Sequence, residues 1–77
     1  MEFDEDKIDE AVLALLHLTS FVESGIHRAW KSHDWDAMSR LHQKGFIGDP
    51  KSKAKSVVLT EDGARRSVEL FRKLFGR

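Results

Sequence analysis

Lys51, Lys53 and Lys55 alternate with Ser52 and Ala54 in a stretch that follows the turn signature Gly48-Asp49-Pro50 and precedes the β-branched run Ser56-Val57-Val58-Leu59-Thr60. Alternate side chains of an extended chain share a face, so this spacing predicts three ammonium groups along one edge of a hairpin tip. Folding alone gains nothing from their repulsion, and phosphates would relieve it. The bland alternative is a soluble tip whose charges discourage edge-to-edge pairing. A second set lies upstream, between Asp34 and Lys44. With Met38 and Leu41 turned inward on a helix, Asp36, Ser39, Arg40 and Gln43 share its outer face. Ser39, Arg40 and Gln43 are residue types that hydrogen-bond base edges in a major groove. Lys44, at the end of the helix, joins them as an expected nucleic-acid contact. Asp34 and Asp36 oppose that use, because an acid at the leading end of a recognition helix repels phosphate unless it pairs with Arg40 or reads a cytosine. The alternative is an amphipathic helix with a solvated face.

Other chemistries find little support. None of His17, His27, His33 and His42 is four residues from another, and neither cysteine nor an HExxH pattern accompanies them, so no metal site is expected. The chain has no cysteine or tyrosine, no phosphate-cradling glycine loop and no serine in a nucleophile elbow. Neither an enzyme nor a cofactor is expected. Trp30 and Trp35 could stack on bases, but tryptophan in a small domain is more often core. Trp35 is expected to pack under the hairpin and Trp30 to pin the segment before it.

The elements that must position these residues are readable from their ends. Asp34 is an N-cap, and Gly45 supplies the left-handed residue just past the last turn. With Lys44 as C-cap, Leu41 and Phe46 form the apolar contact of a Schellman ending. Thr60 caps a final helix from Glu61 to about Phe75, with Glu61 and Asp62 complementing its dipole. Gly63 breaks a capping box, which points to close packing of the helix start on the hairpin. In that helix Ala64, Val68, Phe71 and Phe75 form a stripe beside Leu70 and Leu74, and Glu69 precedes Lys73 by four residues, the favourable order for an ion pair. The first helix starts at Asp4 and is apolar nearly all round from Ala11 to Leu18 except for His17, which predicts burial on more than one side. In so small a chain the expected second side is another copy, giving a homodimer through the first and last helices. From Thr19 to His33 the reading is a turn at Gly25 and a short helix near Ile26 to Lys31.

Seventy-seven residues make a single domain, 1–77, which buries only about 60–65 % of its unfolded surface. The absence of cysteine is consistent with a reducing compartment. The start, Met1-Glu2-Phe3-Asp4-Glu5-Asp6, is acidic, unlike the basic n-region of a signal peptide, and no apolar run is long enough to span a membrane. A cytoplasmic protein without a membrane partner is expected. The formal charge of zero hides a segregation: residues 1–10 carry six acids and Lys7, a balance of −5, and residues 11–77 carry +5. Binding responds to a patch and not to the sum, so the basic part keeps its attraction for phosphate. The acidic segment can also fold over the basic one and compete.

The run LHQKGFIGDPKSKAKSVVLTEDG, Leu41 to Gly63, resembles the end of a winged-helix domain in MarR-like and PadR-like bacterial regulators. The resemblance covers about a third of the chain and implies a recognition helix at Trp35 to Lys44 and a wing at Asp49 to Lys55. The whole chain, including RAWKSHDWDAMSRLHQKG and KAKSVVLTEDG, also resembles a family of small bacterial proteins of unknown function, which implies no activity. It departs from the regulators in its short middle segment, its acidic helix start and the lack of an effector domain. The fold class expected is α+β, winged helix-turn-helix-like, with three to four helices and a two-stranded β-hairpin. The function expected is DNA binding, as a possible transcriptional regulator. The alternative is a protein-interaction or dimerisation module that binds no nucleic acid.

Overall fold

The computed structural model describes residues 2–77; Met1, the first residue of the expected domain, lies outside them. Three helices and three strands follow in the order α1 (Glu5–Leu18), β1 (Ser20–Glu23), β2 (Ile26–Trp30), α2 (Trp35–Gln43), β3 (Ser56–Val58) and α3 (Glu61–Phe75). The fold is α+β.

Local chemistry sets the helix ends. The Asp4 carboxylate accepts from the amides of Asp6 and Lys7, Asp34 from Ala37, and the Thr60 hydroxyl from Gly63. At the end of α2 the amide of Gly45 donates to the His42 carbonyl and that of Phe46 to Leu41, both at 3.0 Å, with Gly45 at φ +83°. This is the expected Schellman ending. Thr60 also donates to the Gly45 carbonyl at 2.7 Å, tying the start of α3 to the end of α2. Gly63 lies so close to Phe46 that a Cβ on it would overlap the Phe46 carbonyl. Close packing is indeed what excludes a side chain there.

The middle of the chain corrects the expectation. Residues 26–30 form a strand, not a helix, and pair antiparallel with β1 from Ser20↔Ala29 to Glu23↔Ile26. The two-residue loop Ser24-Gly25 has φ of +51° and +78°, the left-handed pair that a tight right-twisting hairpin demands. On its other edge β2 pairs with β3, from Arg28↔Val58 to Trp30↔Ser56, giving the order β1-β2-β3. The expected two-stranded hairpin of residues 46–60 survives only as a bridge between Ile47 and Leu59 beside β3. Residues 52–55 form a succession of bends, so the alternation that would have aligned the three lysines is absent.

Leu13, Leu16, Met38, Leu41, Ile47, Val57 and Leu70 are the large buried apolar side chains, drawn from all three helices and the sheet. Val12, Leu13, Ala14 and Leu16 are all buried, so the many-sided apolar surface of α1 is covered by α2, α3 and β2 of its own chain. No second copy is needed to explain it. On α3 the inward face is Gly63, Ser67 and Leu70, flanked by Ala64 and Phe71. Leu74 and Phe75 are about half exposed, in contrast to the expected stripe. Glu69 turns back to Arg66 at 3.2 Å instead of forward to Lys73. Among the described residues no helix is long and apolar enough to cross a membrane.

Candidate nucleic-acid interface

The seven sequence-selected residues divide into three groups. Arg40 and Lys44, one turn apart on α2, face α1. Asp9, only 1 % exposed, receives Arg40 Nε at 2.9 Å on each oxygen and Arg40 Nη2 at 2.8 Å, and its Oδ2 also receives Lys44 Nζ at 2.8 Å. Glu5 adds a contact to Arg40 at 2.7 Å and Asp6 one to Lys44 at 3.1 Å. The expected outward placement of Arg40 is thereby corrected: the acidic first helix takes up both charges. Asp34 and Asp36, weighed as partners for Arg40, form no ion pair with it.

Burial pushes the Asp9 carboxyl up, but hydrogen bonds from Arg40 and Lys44, together with their charge, outweigh it and leave Asp9 below the ordinary carboxylate range. The reciprocal hydrogen bond from Asp9 holds both Arg40 and Lys44 above their usual values, against burial. All three stay ionised at neutral pH. The sequence carries a signal for this pairing: Asp9 stands three, four and seven residues before Val12, Leu13 and Leu16. A carboxylate on an apolar stripe must find cations when the stripe is buried.

Ser39 and Gln43 form the second group. They line one shallow cleft with His42, Asp49, Pro50 and Lys51, so the open side of α2 adjoins the loop that follows it. His42 Nδ1 lies 3.1 Å from the Ile47 carbonyl, so the proton sits on Nδ1, and the contact fixes the loop against the helix. Asp49 accepts from the Lys51 amide at 2.9 Å, which closes the turn.

Lys51, Lys53 and Lys55 are exposed and form no ion pair among the described residues. Lys31, which the sequence reading passed over, joins them. Its amide donates to the Lys55 carbonyl at 3.0 Å, and its Nζ donates to the Ser52 carbonyl at 2.7 Å. The end of β2 therefore anchors the loop that carries the three lysines. Both tryptophans differ from expectation, Trp30 being 50 % and Trp35 59 % exposed. Trp30 packs on Phe21, with ring centroids 5.0 Å apart. At His33, burial lowers the imidazole pKa, and the buried Nε2 has no hydrogen-bond partner.

Comparison with known proteins agrees with the expected small-protein family. A family described as a domain of unknown function, DUF6429, matches residues 4–77. The relative named Uncharacterized protein y4hR, from Sinorhizobium fredii (strain NBRC 101917 / NGR234), is 60 % identical over 77 residues, which is 100 % of each chain. No solved structure matches at a significant level.

Proposed function

We propose, for a chain that belongs to the DUF6429 family, that it is a small DNA-binding protein whose phosphate contacts come from the loop after α2. The observation that carries this reading is the set of exposed cations, Lys51, Lys53 and Lys55, which form no ion pair among the described residues, in a molecule that pairs Arg40 and Lys44 so thoroughly. Ser39 and Gln43, in the cleft beside Lys51, are the groups on α2 with free capacity for base edges. The order of α2, loop, β3 and α3, with the resemblance of Leu41 to Gly63 to MarR-like and PadR-like regulators, supports a winged-helix-like use of this region in transcription. A strand stands where such a domain has its middle helix, so the support extends to these later elements alone.

Three lysines that neutralise three phosphates give a slope of about −2.7 per protomer in log affinity against log salt. Titrating a short DNA duplex at several salt concentrations measures it, and affinity indifferent to salt refutes the proposal. Lys51, Lys53 and Lys55 together changed to alanine remove most of the slope.

A second reading, a homodimerisation module, is favoured by Leu18, Leu74 and Phe75, which are 64 %, 49 % and 54 % exposed at the ends of the first and last helices. On that reading the triple lysine variant leaves self-association and partner binding unchanged.

A further inference from the structure

The helices cover one face of the sheet. Ala29, Val57 and Leu59 point into the core, so strand alternation puts Phe21, Ile26, Arg28, Trp30, Ser56 and Val58 on the opposite face. Two side-chain contacts agree with that assignment. Phe21 and Trp30 pack at an interplanar angle of 33°, and Arg28 donates through Nε to Ser56 Oγ at 2.8 Å and through Nη2 to the Ser56 carbonyl at 3.2 Å. Ile26 and Trp30 are about half exposed. The face thus carries its aromatic pair toward one end, with Arg28, on the middle of the central strand, reaching across it to Ser56.

Its rim is cationic at one end. Lys31 follows Trp30 directly, Lys55 precedes the Ser56 that pairs with Trp30, and Lys31 is bonded to the loop that carries Lys51 and Lys53. Among the described residues neither Arg28 nor Lys31 forms an ion pair. The carboxylate of this face, Glu23, sits at the turn end opposite Ile26, four residues from Trp30, or about 13 Å along the strand. Charge complementarity decides between occupants. A second copy packed with its strands in the same direction would bring like charges together at the rim, and one packed with them reversed would set the single Glu23 against several cations, whereas an anionic polymer with flat apolar groups satisfies both rings and rim. Bases in a duplex are already stacked and present only their edges, while unpaired bases have a free π-face.

We propose that the open sheet face is a stacking platform for unpaired bases, Trp30 and Phe21 supplying the rings, and that the phosphates of the same strand run onto the lysine loop. This deepens the DNA-binding reading and rests on it: the polymer is single-stranded. Base order has little influence on such binding, because every base has a π-face.

The test uses the Trp35→Phe chain, in which Trp30 is the remaining tryptophan, titrated with a short oligothymidylate and with a duplex of the same length. The single strand quenches Trp30 fluorescence and binds about tenfold tighter than the duplex, the worth of one stacked base. Trp30→Ala in the same background loses about tenfold for the single strand, read by anisotropy of a labelled oligonucleotide, and little for the duplex. Trp30→Phe keeps a ring and retains most of the affinity, which separates lost stacking from a disturbed fold. Equal salt-dependent binding of both polymers with Trp30 emission unchanged overturns the platform and leaves the phosphate reading standing. Failure of both polymers to bind overturns the two together. Trp30 emission that changes with protein concentration alone, alongside a dimer in sedimentation, assigns the face to a second copy and overturns the platform.

Discussion

Asp9 shows how much one side chain can decide. Its carboxylate lies nearly out of contact with water, where an unpaired charge costs several kcal/mol, and two cations 31 and 35 residues along the chain make the position tolerable. Because its folded pKa lies below the unfolded value of about 4, the pair stabilises the protein fully above that value. The stabilisation disappears as pH falls through the folded pKa. Asp9→Asn removes this contribution and leaves Arg40 and Lys44 with Glu5 and Asp6 alone. The expected cost is about 2 kcal/mol in urea unfolding at pH 7, moderated because both cations are partly exposed. The variant's stability also falls less steeply below pH 5. An acid limb parallel to that of the parent would mean that other carboxylates govern acid unfolding. In the sequence Asp9 was one of six N-terminal acids, and its place on the Val12, Leu13, Leu16 stripe distinguished it from the rest.

Elements with chemical stops were legible; elements defined by periodicity alone were not. The caps Asp4, Asp34 and Thr60 and the Schellman glycine act within one turn, so the three helices could be read from their own residues. Strands β1 and β2 gave no such signal. Their core-facing positions hold Ser20, Val22, His27 and Ala29, while Phe21, Ile26 and Trp30 face outward, so polar and apolar residues stand on both faces and the apolar-polar alternation of a half-buried strand is lost. The turn at Gly25 was readable, but not the kind of element on either side. For the site, the lysine loop was found from composition, whereas Lys31 joins it through β2-β3 pairing, a contact no local pattern encodes. The start of α3 supports a sharp prediction. Gly63→Ala forces a methyl group into the Phe46 carbonyl, and that backbone is also held by the Thr60 amide at 3.0 Å. Neither partner is a flexible side-chain end, so the expected loss exceeds about 3 kcal/mol in denaturant unfolding, well beyond a helix-propensity effect. A change below about 1 kcal/mol would show that α3 and the α2 ending separate easily.

Across the whole molecule, the two signs of charge are sorted into different tasks. The acids of α1 bind back onto α2 and neutralise Arg40 and Lys44, while among the described residues the lysines around the loop form no ion pair. A chain of zero formal charge thereby keeps a cationic loop. On the proposed function, the acidic helix also weakens the attraction of the loop for phosphate at low ionic strength, because the Debye length reaches about 30 Å at 0.01 M salt, comparable with the 40 × 31 × 19 Å extents of the molecule. Glu5→Gln with Asp6→Asn tests this coupling without touching Asp9. Each contact removed is an exposed ion pair, so together they stabilise the fold by no more than about 1–2 kcal/mol. Neutralising two acids takes the formal charge from 0 to +2. A unit charge in water contributes about 0.4 kcal/mol at about 10 Å from a phosphate and about 0.2 kcal/mol at about 20 Å, so two together give about two- to fourfold in affinity. Oligonucleotide affinity of the double variant is therefore expected to rise about two- to fourfold at low salt and to converge with the parent near 1 M, where screening reaches within about 3 Å. A gain that persists at high salt would place Arg40 or Lys44 in direct contact with the polymer, and no gain at low salt would confine the acidic helix to a structural role.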